Sequence, residues 1–504
     1  MIAALFLFAS SSTLVSSTPS DPLAVVQAQD DVEARIRAVG TNVAKLLELA
    51  RTYDAAKQRD AAKAVYLRVI ELDPDQEAAR SALRHQRYDG KWFESYVELA
   101  KYKREEEARM KAKHLARFGD EWVPEKDLPF LQMGWVRAAD GRWKHPSVLE
   151  QERQAAEWQA AGHQFRADDS SWVAPADFEH WTAVRWKCGD AWLDTDAANA
   201  YHAKLEQPWR LAGEHFDILA TCPWETANLA RWHADQTYAP LVALFGSAPV
   251  QKLRVFVLAN LEQYNEAAGG TAILFDSEGY SSLHGAYFAD VAFDERVSPP
   301  LHIGAGVCYW DRADASTAAW GPFWVRWAAA QSFVDGLDPS WNTIGAWVAT
   351  EGRGDLPALG QKFWSEKRLP RWLRYGAASY VERYLRNPEA GEGDDPWSLR
   401  SWAFGELAKN GGLRKLDDVF AFGLSQDDLE GSSRLYHEAG LLVAYLLDGA
   451  EGDAVLAKAH DAFRSALKTT LEGGDSAALD VACGALEKLL AAREPKIRAF
   501  AGLK

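Results

Sequence analysis

The spacing of apolar residues changes along the chain. Between residues 31 and 85 they recur at helical intervals. Residues 214–221 alternate polar and apolar like a half-buried strand, and residues 253–258 form a second apolar strand. Cys222-Pro223 begins a helix between them, since Pro suits the first helical turn. From residue 322 the pattern is mostly helical. The sequence predicts an α+β protein that is mostly helical, with a small sheet followed by a helical subdomain.

The first helical region, residues 31–85, has a more specific pattern. Small and large apolar residues alternate in Leu46–Tyr53 and Ala61–Tyr66, and Asp73-Pro74 closes the second helix. The pattern resembles one tetratricopeptide repeat, a helix pair whose small residues allow close approach. A single unit cannot bury its own apolar face, so it must dock on further helices or on a partner. A plain helical hairpin is the alternative interpretation.

Residues 86–206 contain a weak repeat built on tryptophan. Asp89-Gly90-Lys91-Trp92 recurs as Asp140-Gly141-Arg142-Trp143. Looser copies end in Trp122, Trp172 and Trp192. Asp-Gly favours a tight hairpin turn, and a Trp just beyond it can cover the turn. The region is therefore predicted to link helices with small Trp-containing hairpins. Local packing explains these rings better than carbohydrate binding does.

Composition and charge narrow the possible partners. The 504 residues include 22 Trp and only 3 Met, and the formal net charge is -16. Such a chain repels a phosphate backbone on average, which argues against a nucleic-acid partner. The four cysteines form no Cys-x-x-Cys pair. Either one or two disulfides, with three possible full pairings, or buried free thiols are compatible with them.

The N-terminus resembles a secretory signal. Residues 2–8 are apolar and grade into Ser and Thr, and Val26-Gln27-Ala28 offers small residues at a cleavage position. We therefore interpret residues 1–28 as a signal peptide and expect an extracytoplasmic protein, periplasmic or secreted. Beyond it, the sequence predicts no membrane span, because no later apolar stretch is long enough.

Two helical segments carry a resemblance to a known family. The first is Gly321–Leu337, which ends in Phe-Val-Asp-Gly-Leu, and the second begins at Leu369-Pro370-Arg371-Trp372-Leu373. Their order after strand, helix and strand resembles gluzincin zinc metallopeptidases, especially bacterial peptidase MA-like domains. The resemblance covers residues 207–500 and implies a thermolysin-like domain with a small sheet and a helical subdomain.

In that family the first helix carries His-Glu-x-x-His, whose two His bind zinc while the Glu activates a water. The second helix supplies a Glu as third ligand. The resemblance puts Arg326 at the first His, Trp327 at the catalytic Glu, Ala330 at the second His and Tyr375 at the third ligand. It also makes Gln331, Trp372 and Tyr380 possible cleft residues.

The substitutions at these four positions remove zinc chemistry. Arginine offers no lone pair, alanine has no ligand atom and tryptophan cannot transfer the proton. Tyr375 alone cannot hold zinc. No His-Glu-x-x-His occurs anywhere, and the only His-Glu dipeptide, His437-Glu438, lacks a second His three residues on. We therefore predict no metal and no cofactor. An aromatic wall, a cation and a hydroxyl from Trp327, Arg326 and Tyr375 are expected to fill the former metal site.

Three functions remain open from the sequence. The first is an exported pseudopeptidase that binds or scaffolds a protein or peptide. The second is an active extracytoplasmic hydrolase whose catalytic residues the sequence does not reveal, although the chain has no Gly-x-Ser-x-Gly elbow and no phosphate-binding loop. The third is an interaction module led by the helical repeat.

Overall fold

A computed structural model gives the fold of the chain. It describes residues 22–132, 134–144, 146–249, 252–268, 286–288, 293–294, 301–302, 305–315, 317–337, 369–386, 398–423, 428–472 and 476–503. The protein is an α+β protein and mostly helical, as the hydrophobic pattern predicts. The predicted signal segment lies largely outside the described residues, and its last seven residues belong to the first helix.

The chain divides into two compact units, residues 1–116 and 117–504. The first unit contains helices α1 (Pro22–Val39), α2 (Val43–Ala55), α3 (Arg59–Leu72), α4 (Glu77–Ala82) and α5 (Tyr96–Lys111). Its core joins α1, α2, α3 and α4 through small and large apolar side chains, including Leu46, Ala50, Ala62, Val65 and Val69. The apolar face of the predicted helix pair α2–α3 is thus covered by helices of its own unit.

Five antiparallel hairpins follow the Trp pattern. They pair β1 (Gln86–Tyr88) with β2 (Lys91–Phe93), β3 (Leu115–Phe118) with β4 (Glu121–Pro124), β5 (Val136–Arg137) with β6 (Trp143–Lys144), β7 (Gln164–Arg166) with β8 (Ser171–Val173), and β9 (Trp186–Cys188) with β10 (Ala191–Leu193). Both turn residues of the first hairpin, Asp89 and Gly90, have positive φ, as an Asp-Gly hairpin turn requires.

Each hairpin Trp has a neighbour within its own hairpin. Four are directly opposite a first-strand residue: Arg87 with Trp92, Arg137 with Trp143, Phe165 with Trp172, and Lys187 with Trp192. In three of these pairs the side chain of Arg87, Arg137 or Lys187 lies over the Trp ring. Arg117 likewise lies 5.6 Å from the ring centre of Trp122. Cation–π contact and cross-strand packing therefore account for these tryptophans.

Short helices connect the hairpins. These are a 3₁₀ turn at Glu125–Asp127, α6 (Leu128–Gln132), α7 (Pro146–Ala160), a 3₁₀ turn at Pro175–Asp177, α8 (Phe178–Thr182) and α9 (Thr195–His202). The core of the second unit begins at Trp186, in the last hairpin, rather than at residue 207. Trp186 packs edge-on against Trp209 and also contacts Trp224, so the last hairpin belongs to the same core as the sheet.

A five-stranded mixed sheet forms the centre of the second unit. Its order is β11 (Trp209–Ala212), β12 (Phe216–Ala220), β13 (Leu253–Leu258), β17 (Ala305–Tyr309) and β14 (Ala286–Phe288). The three central strands are parallel, and both edge strands are antiparallel to their neighbours. A separate pair joins β15 (Phe293–Asp294) to β16 (Leu301–His302). The helices α10 (Trp224–Asp235), α11 (Tyr238–Phe245) and α12 (Leu261–Ala268) connect the first strands.

A long helix, α13 (Gly321–Leu337), packs directly on this sheet. Its side chains from 323 to 334 are all buried, so it has no solvent-facing stripe there. The contact is so close that a Cβ atom at Gly306 of β17 would lie 1.9 Å from the Ala328 carbonyl oxygen. The small residues at the centre of α13 therefore allow backbone-to-backbone contact with the sheet.

The remaining helices of the described residues follow α13 and share its core. They are α14 (Arg371–Ser379) with a π-helical turn at Tyr380–Tyr384, α15 (Arg400–Lys409), α16 (Leu416–Ala421), α17 (Leu429–Ala444) with a π-helical turn at Tyr445–Gly449, α18 (Ala454–Leu471), α19 (Ala477–Ala491) and α20 (Glu494–Phe500). Helices α14 and α17 approach closely at two glycines. A Cβ at Gly376 would lie 2.8 Å from the Ala439 carbonyl oxygen, and one at Gly440 would lie 2.5 Å from Ser379 Oγ.

The structure decides one feature that the sequence left open, the state of the cysteines, and bears on one prediction, that of no membrane span. All four cysteines are buried free thiols. None of the described helices has the length and apolar character needed to cross a membrane.

Candidate functional site

Helices α13 and α14 carry the residues that the family resemblance singles out. The two helices contact each other, with α13 held on the sheet and α14 held against α17. Arg326, Trp327, Ala330 and Gln331 lie on α13, and Tyr375 lies on α14. Only Tyr375 is partly exposed, because the other four side chains are buried.

Trp327 and Tyr375 meet through a third ring, that of Tyr436 on α17. The Tyr436 ring centre is 5.3 Å from that of Trp327 and 5.3 Å from that of Tyr375, and both contacts are edge-to-face. Phe422 completes the group, stacked on Tyr375 with ring centres 5.1 Å apart and edge-on to Tyr436. We call these four residues the aromatic cluster. Edge-to-face and offset-stacked rings attract one another beyond simple burial.

Phe422 reaches the aromatic cluster with an unusual backbone. It caps the C-terminus of α16 in the left-handed conformation, with φ 43° and ψ 49°. A bulky residue rarely adopts this conformation, which usually falls to glycine. The Phe422 ring is nevertheless fully buried. Packing against Tyr375 and Tyr436 therefore offsets the backbone cost at this position.

The Arg326 guanidinium contacts helix α10 and a residue of its own helix. It lies 3.4 Å from Nδ1 of His233 on α10 and 5.5 Å from the ring centre of Phe323. Burial, together with the Arg326 charge, lowers the pKa of His233 to about 3. His233 is consequently neutral at physiological pH, and its Nδ1 lone pair can accept a hydrogen bond from the arginine.

The expected grouping of Trp327, Arg326 and Tyr375 is therefore divided. The structure brings Trp327 and Tyr375 together, whereas Arg326 contacts α10. Ala330 is fully buried and offers no polar atom. Among the described residues, no three His, Cys, Asp or Glu side chains are grouped so that they could hold a metal ion.

The three possible cleft residues are interior side chains. Trp372 is fully buried, and its indole N–H donates to Glu487 Oε1 of α19 at 2.7 Å. Tyr380 is buried, and its hydroxyl lies 3.3 Å from both carboxylate oxygens of Asp448. Gln331 is buried within α13. Trp372 and Tyr380 thus join α14 and its π-helical turn to neighbouring helices.

The one His-Glu dipeptide also has a structural explanation. Glu438 on α17 is fully buried, and its carboxylate accepts hydrogen bonds from Nε of Arg414 at 2.7 Å and Nε of Arg434 at 3.1 Å. The backbone N–H of Arg414 donates to it at 2.9 Å. The two guanidinium groups also donate hydrogen bonds to backbone carbonyl oxygens, Arg414 to that of Gly431 and Arg434 to that of Gly412. Glu438 therefore ties the loop before α16 to α17.

We expect Glu438→Gln to destabilise the protein by about 2 kcal/mol. The amide keeps the shape but removes the charge and replaces one acceptor oxygen with a donor group. Breaking a buried ion pair costs more, but Arg414 and Arg434 remain 28% and 23% exposed, so water partly compensates them. Urea denaturation followed by far-UV circular dichroism measures the change.

Glu150→Gln is the matched control for Glu438→Gln. Glu150 bonds Arg153 on the surface of α7, where exposed ion pairs contribute little. It should leave the denaturation midpoint unchanged. Equal midpoints for the two variants would contradict a structural role for Glu438.

Sequence reasoning missed Tyr436, Phe422 and His233 as neighbours of the predicted positions. Tyr436 lies 61 residues after Tyr375 and contacts it only because α14 and α17 pack together. No local pattern in the sequence marks such a partner. The positive φ of Phe422 likewise leaves no trace in its residue type.

Comparison with known proteins gives no relative. The chain matches no protein-family model, no curated protein and no solved structure.

Proposed function

We propose that this chain is an exported, non-catalytic homologue of gluzincin zinc metallopeptidases, and that it binds or scaffolds a protein or peptide. The observation that carries the proposal is the contact of Trp327 and Tyr375 with Tyr436. The family resemblance assigns the catalytic Glu and the third zinc ligand to the first two positions. Their aromatic replacements pack on one ring, which is consistent with a metal site that became a hydrophobic contact.

The order of elements supports the proposal. Strand β12, helix α10 and strand β13 precede short segments, then helix α13 and helix α14. This is the order on which the peptidase resemblance rests. The resulting thermolysin-like interpretation remains a proposal, as does the tetratricopeptide-like interpretation of α2–α3. Small residues at the contact of these two helices, Ala50 and Ala62, support the latter.

The chemistry of the four positions supports the absence of catalysis. The Arg326 guanidinium has no lone pair for a metal and contacts a neutral His233. Ala330 has no ligand atom, and the Trp327 ring packs edge-to-face against the Tyr436 ring. A water at this position would have neither a metal to lower its pKa nor a carboxylate to remove its proton.

We expect the purified full-length protein to contain no stoichiometric zinc and to show no chelator-sensitive cleavage of casein or peptides. Elemental analysis and a protease assay in the presence and absence of added zinc measure this. Stoichiometric zinc, or cleavage that a chelator abolishes and zinc restores, would contradict the non-catalytic interpretation.

A restoration experiment tests the correspondence itself. The variant combining Arg326→His, Trp327→Glu, Ala330→His and Tyr375→Glu should bind one zinc and gain thermal stability when zinc is added. Its control keeps Ala330, so that α13 supplies only one His to the metal. Equal zinc binding by the two variants, or none by either folded variant, would refute the assigned positions.

A further inference from the structure

A cysteine and a histidine outside the peptidase-like site lie in hydrogen-bond contact. Cys188 ends strand β9, and His202 ends helix α9. The distance from Cys188 Sγ to His202 Nε2 is 3.6 Å. On the other side of the imidazole, Nδ1 lies 2.8 Å from the Gln207 carbonyl oxygen. Cys188, His202 and the Gln207 carbonyl thus form a chain of contacts in the order of a nucleophile, a base and a group that orients the base.

The Gln207 carbonyl fixes which imidazole nitrogen carries the proton. A carbonyl oxygen only accepts, so Nδ1 must donate to it, and the neutral ring then has its lone pair on Nε2. That lone pair faces the thiol, whose S–H can donate to it. The ring is also held by neighbours, with its centre 4.0 Å from that of Trp209 and 4.9 Å from that of Tyr201.

The surroundings keep this pair neutral at rest. Burial, and then the charge of Asp169, raise the pKa of Cys188, while burial lowers the pKa of His202. Trp186 and Cys188 share the buried face of β9, and the buried guanidinium of Arg166 lies 3.8 Å from the Trp186 ring centre. The charge of that guanidinium is paired with the Asp169 carboxylate, 3.9 Å away.

We propose that Cys188 and His202 form a nucleophilic pair that adds to α,β-unsaturated carbonyl compounds. As Sγ attacks the β-carbon, the S–H proton passes to His202 Nε2 and an S–C bond forms. The π electrons of the carbon–carbon double bond move to the α-carbon, which then takes a proton from the imidazolium. The ring returns to its neutral form. This site is independent of the proposed peptidase resemblance.

The same chain provides a matched comparison. Cys188 and Cys483 are almost equally buried, at 5% and 6% exposure. Cys483 has carboxylate neighbours, and burial together with Glu487 and Asp480 raises its pKa to about 12. Cys222 and Cys308 are more deeply buried. Because the two thiols are equally exposed, a difference in their reactivity reports their charged and basic neighbours, and the variant His202→Gln isolates the contribution of the imidazole.

The test uses N-ethylmaleimide on the native full-length protein, with the modified cysteines quantified by peptide mass spectrometry over time. Cys188 should react about 10-fold faster than Cys483, a smaller factor than the roughly 10²–10⁴-fold that is typical of general-base catalysis. Rates in urea, where all four thiols are open, normalise the comparison. Equal native rates for Cys188 and Cys483 would overturn the proposal without any substitution being made.

The variant His202→Gln provides the second arm. Its amide has no basic nitrogen and therefore cannot accept the thiol proton. The Cys188 rate should fall about 10-fold, towards that of Cys483, while the Cys483 rate stays constant. An unchanged Cys188 rate in this variant would show that His202 does not activate the thiol. The wild-type ratio tests the proposal even if His202→Gln impairs folding.

Discussion

Trp327→Ala should destabilise the protein by about 3–5 kcal/mol, the range for truncating a buried large aromatic side chain. The Trp327 side chain is 3% exposed and contacts the buried Tyr436 ring edge-on. Its removal leaves a cavity between helices that cannot collapse easily, because α13 is already held against the sheet at Gly306. Urea denaturation followed by far-UV circular dichroism gives the free energy of unfolding.

Trp158→Ala is the control for Trp327→Ala. Trp158 lies on α7, is 41% exposed and contacts Trp172. Its truncation should cost less than about 1 kcal/mol, since the exposed ring loses little burial and Ala is a good helix former. A loss of similar size in the two variants would contradict the interpretation of Trp327 as a structural replacement for a catalytic side chain.

Gly306→Ala should destabilise the protein by about 3 kcal/mol or more, although it adds only one methyl group. The new Cβ would lie 1.9 Å from the Ala328 carbonyl oxygen and 2.4 Å from its carbonyl carbon. Both atoms belong to the backbone, so no side-chain rotation can relieve the overlap. Either α13 must move away from β17 or the sheet must bend, and each response opens the core. The thermal midpoint and the denaturant midpoint should both fall.

Gly484→Ala is the matched control, because it makes the same chemical change inside helix α19. A Cβ at Gly484 would meet nothing within 4 Å. Alanine there should stabilise the protein by about 0.5–1 kcal/mol through its higher helix propensity. The two substitutions should therefore have opposite signs. A Gly306→Ala variant as stable as the wild type would show that α13 and β17 are not in backbone contact.

Several features of the fold were predictable because they depend on local patterns. The alternation in residues 214–221 and the apolar run at 253–258 predicted strands, and both segments form parallel strands of the sheet. Asp89-Gly90 predicted a hairpin turn, and both residues adopt positive φ. Periodicity and turn chemistry act over a few residues, so one sequence contains them completely.

The start of the main core was not predictable in the same way. The change of pattern near residue 207 suggested a boundary there, yet Trp186 of the last hairpin packs on Trp209 and Trp224. The sequence of the hairpin that contains Trp186 resembles the sequences of the hairpins before it. Which hairpin packs into the core depends on the shape of the surface that receives it.

The contacts at the candidate site were also predictable only in part. The resemblance would put Trp327 and Tyr375 at the positions of a catalytic Glu and a zinc ligand, and the two rings contact the same third ring, that of Tyr436. It also suggested that Arg326 would share their space, whereas the guanidinium contacts His233. Adjacent residues on a helix point about 100° apart, so Arg326 and Trp327 meet different neighbours once α13 is packed on all sides.

The sequence by itself determined the α+β class, the main strands and helices, and the lack of any His-Glu-x-x-His motif, because these follow from residue type and short-range spacing. The tertiary structure alone decided that Tyr436 and Phe422 complete the aromatic cluster, that Arg414 holds Glu438, and that Cys188 meets His202. Each of these contacts joins residues from different elements. Their distance is set by how whole helices and strands pack, which no local pattern encodes.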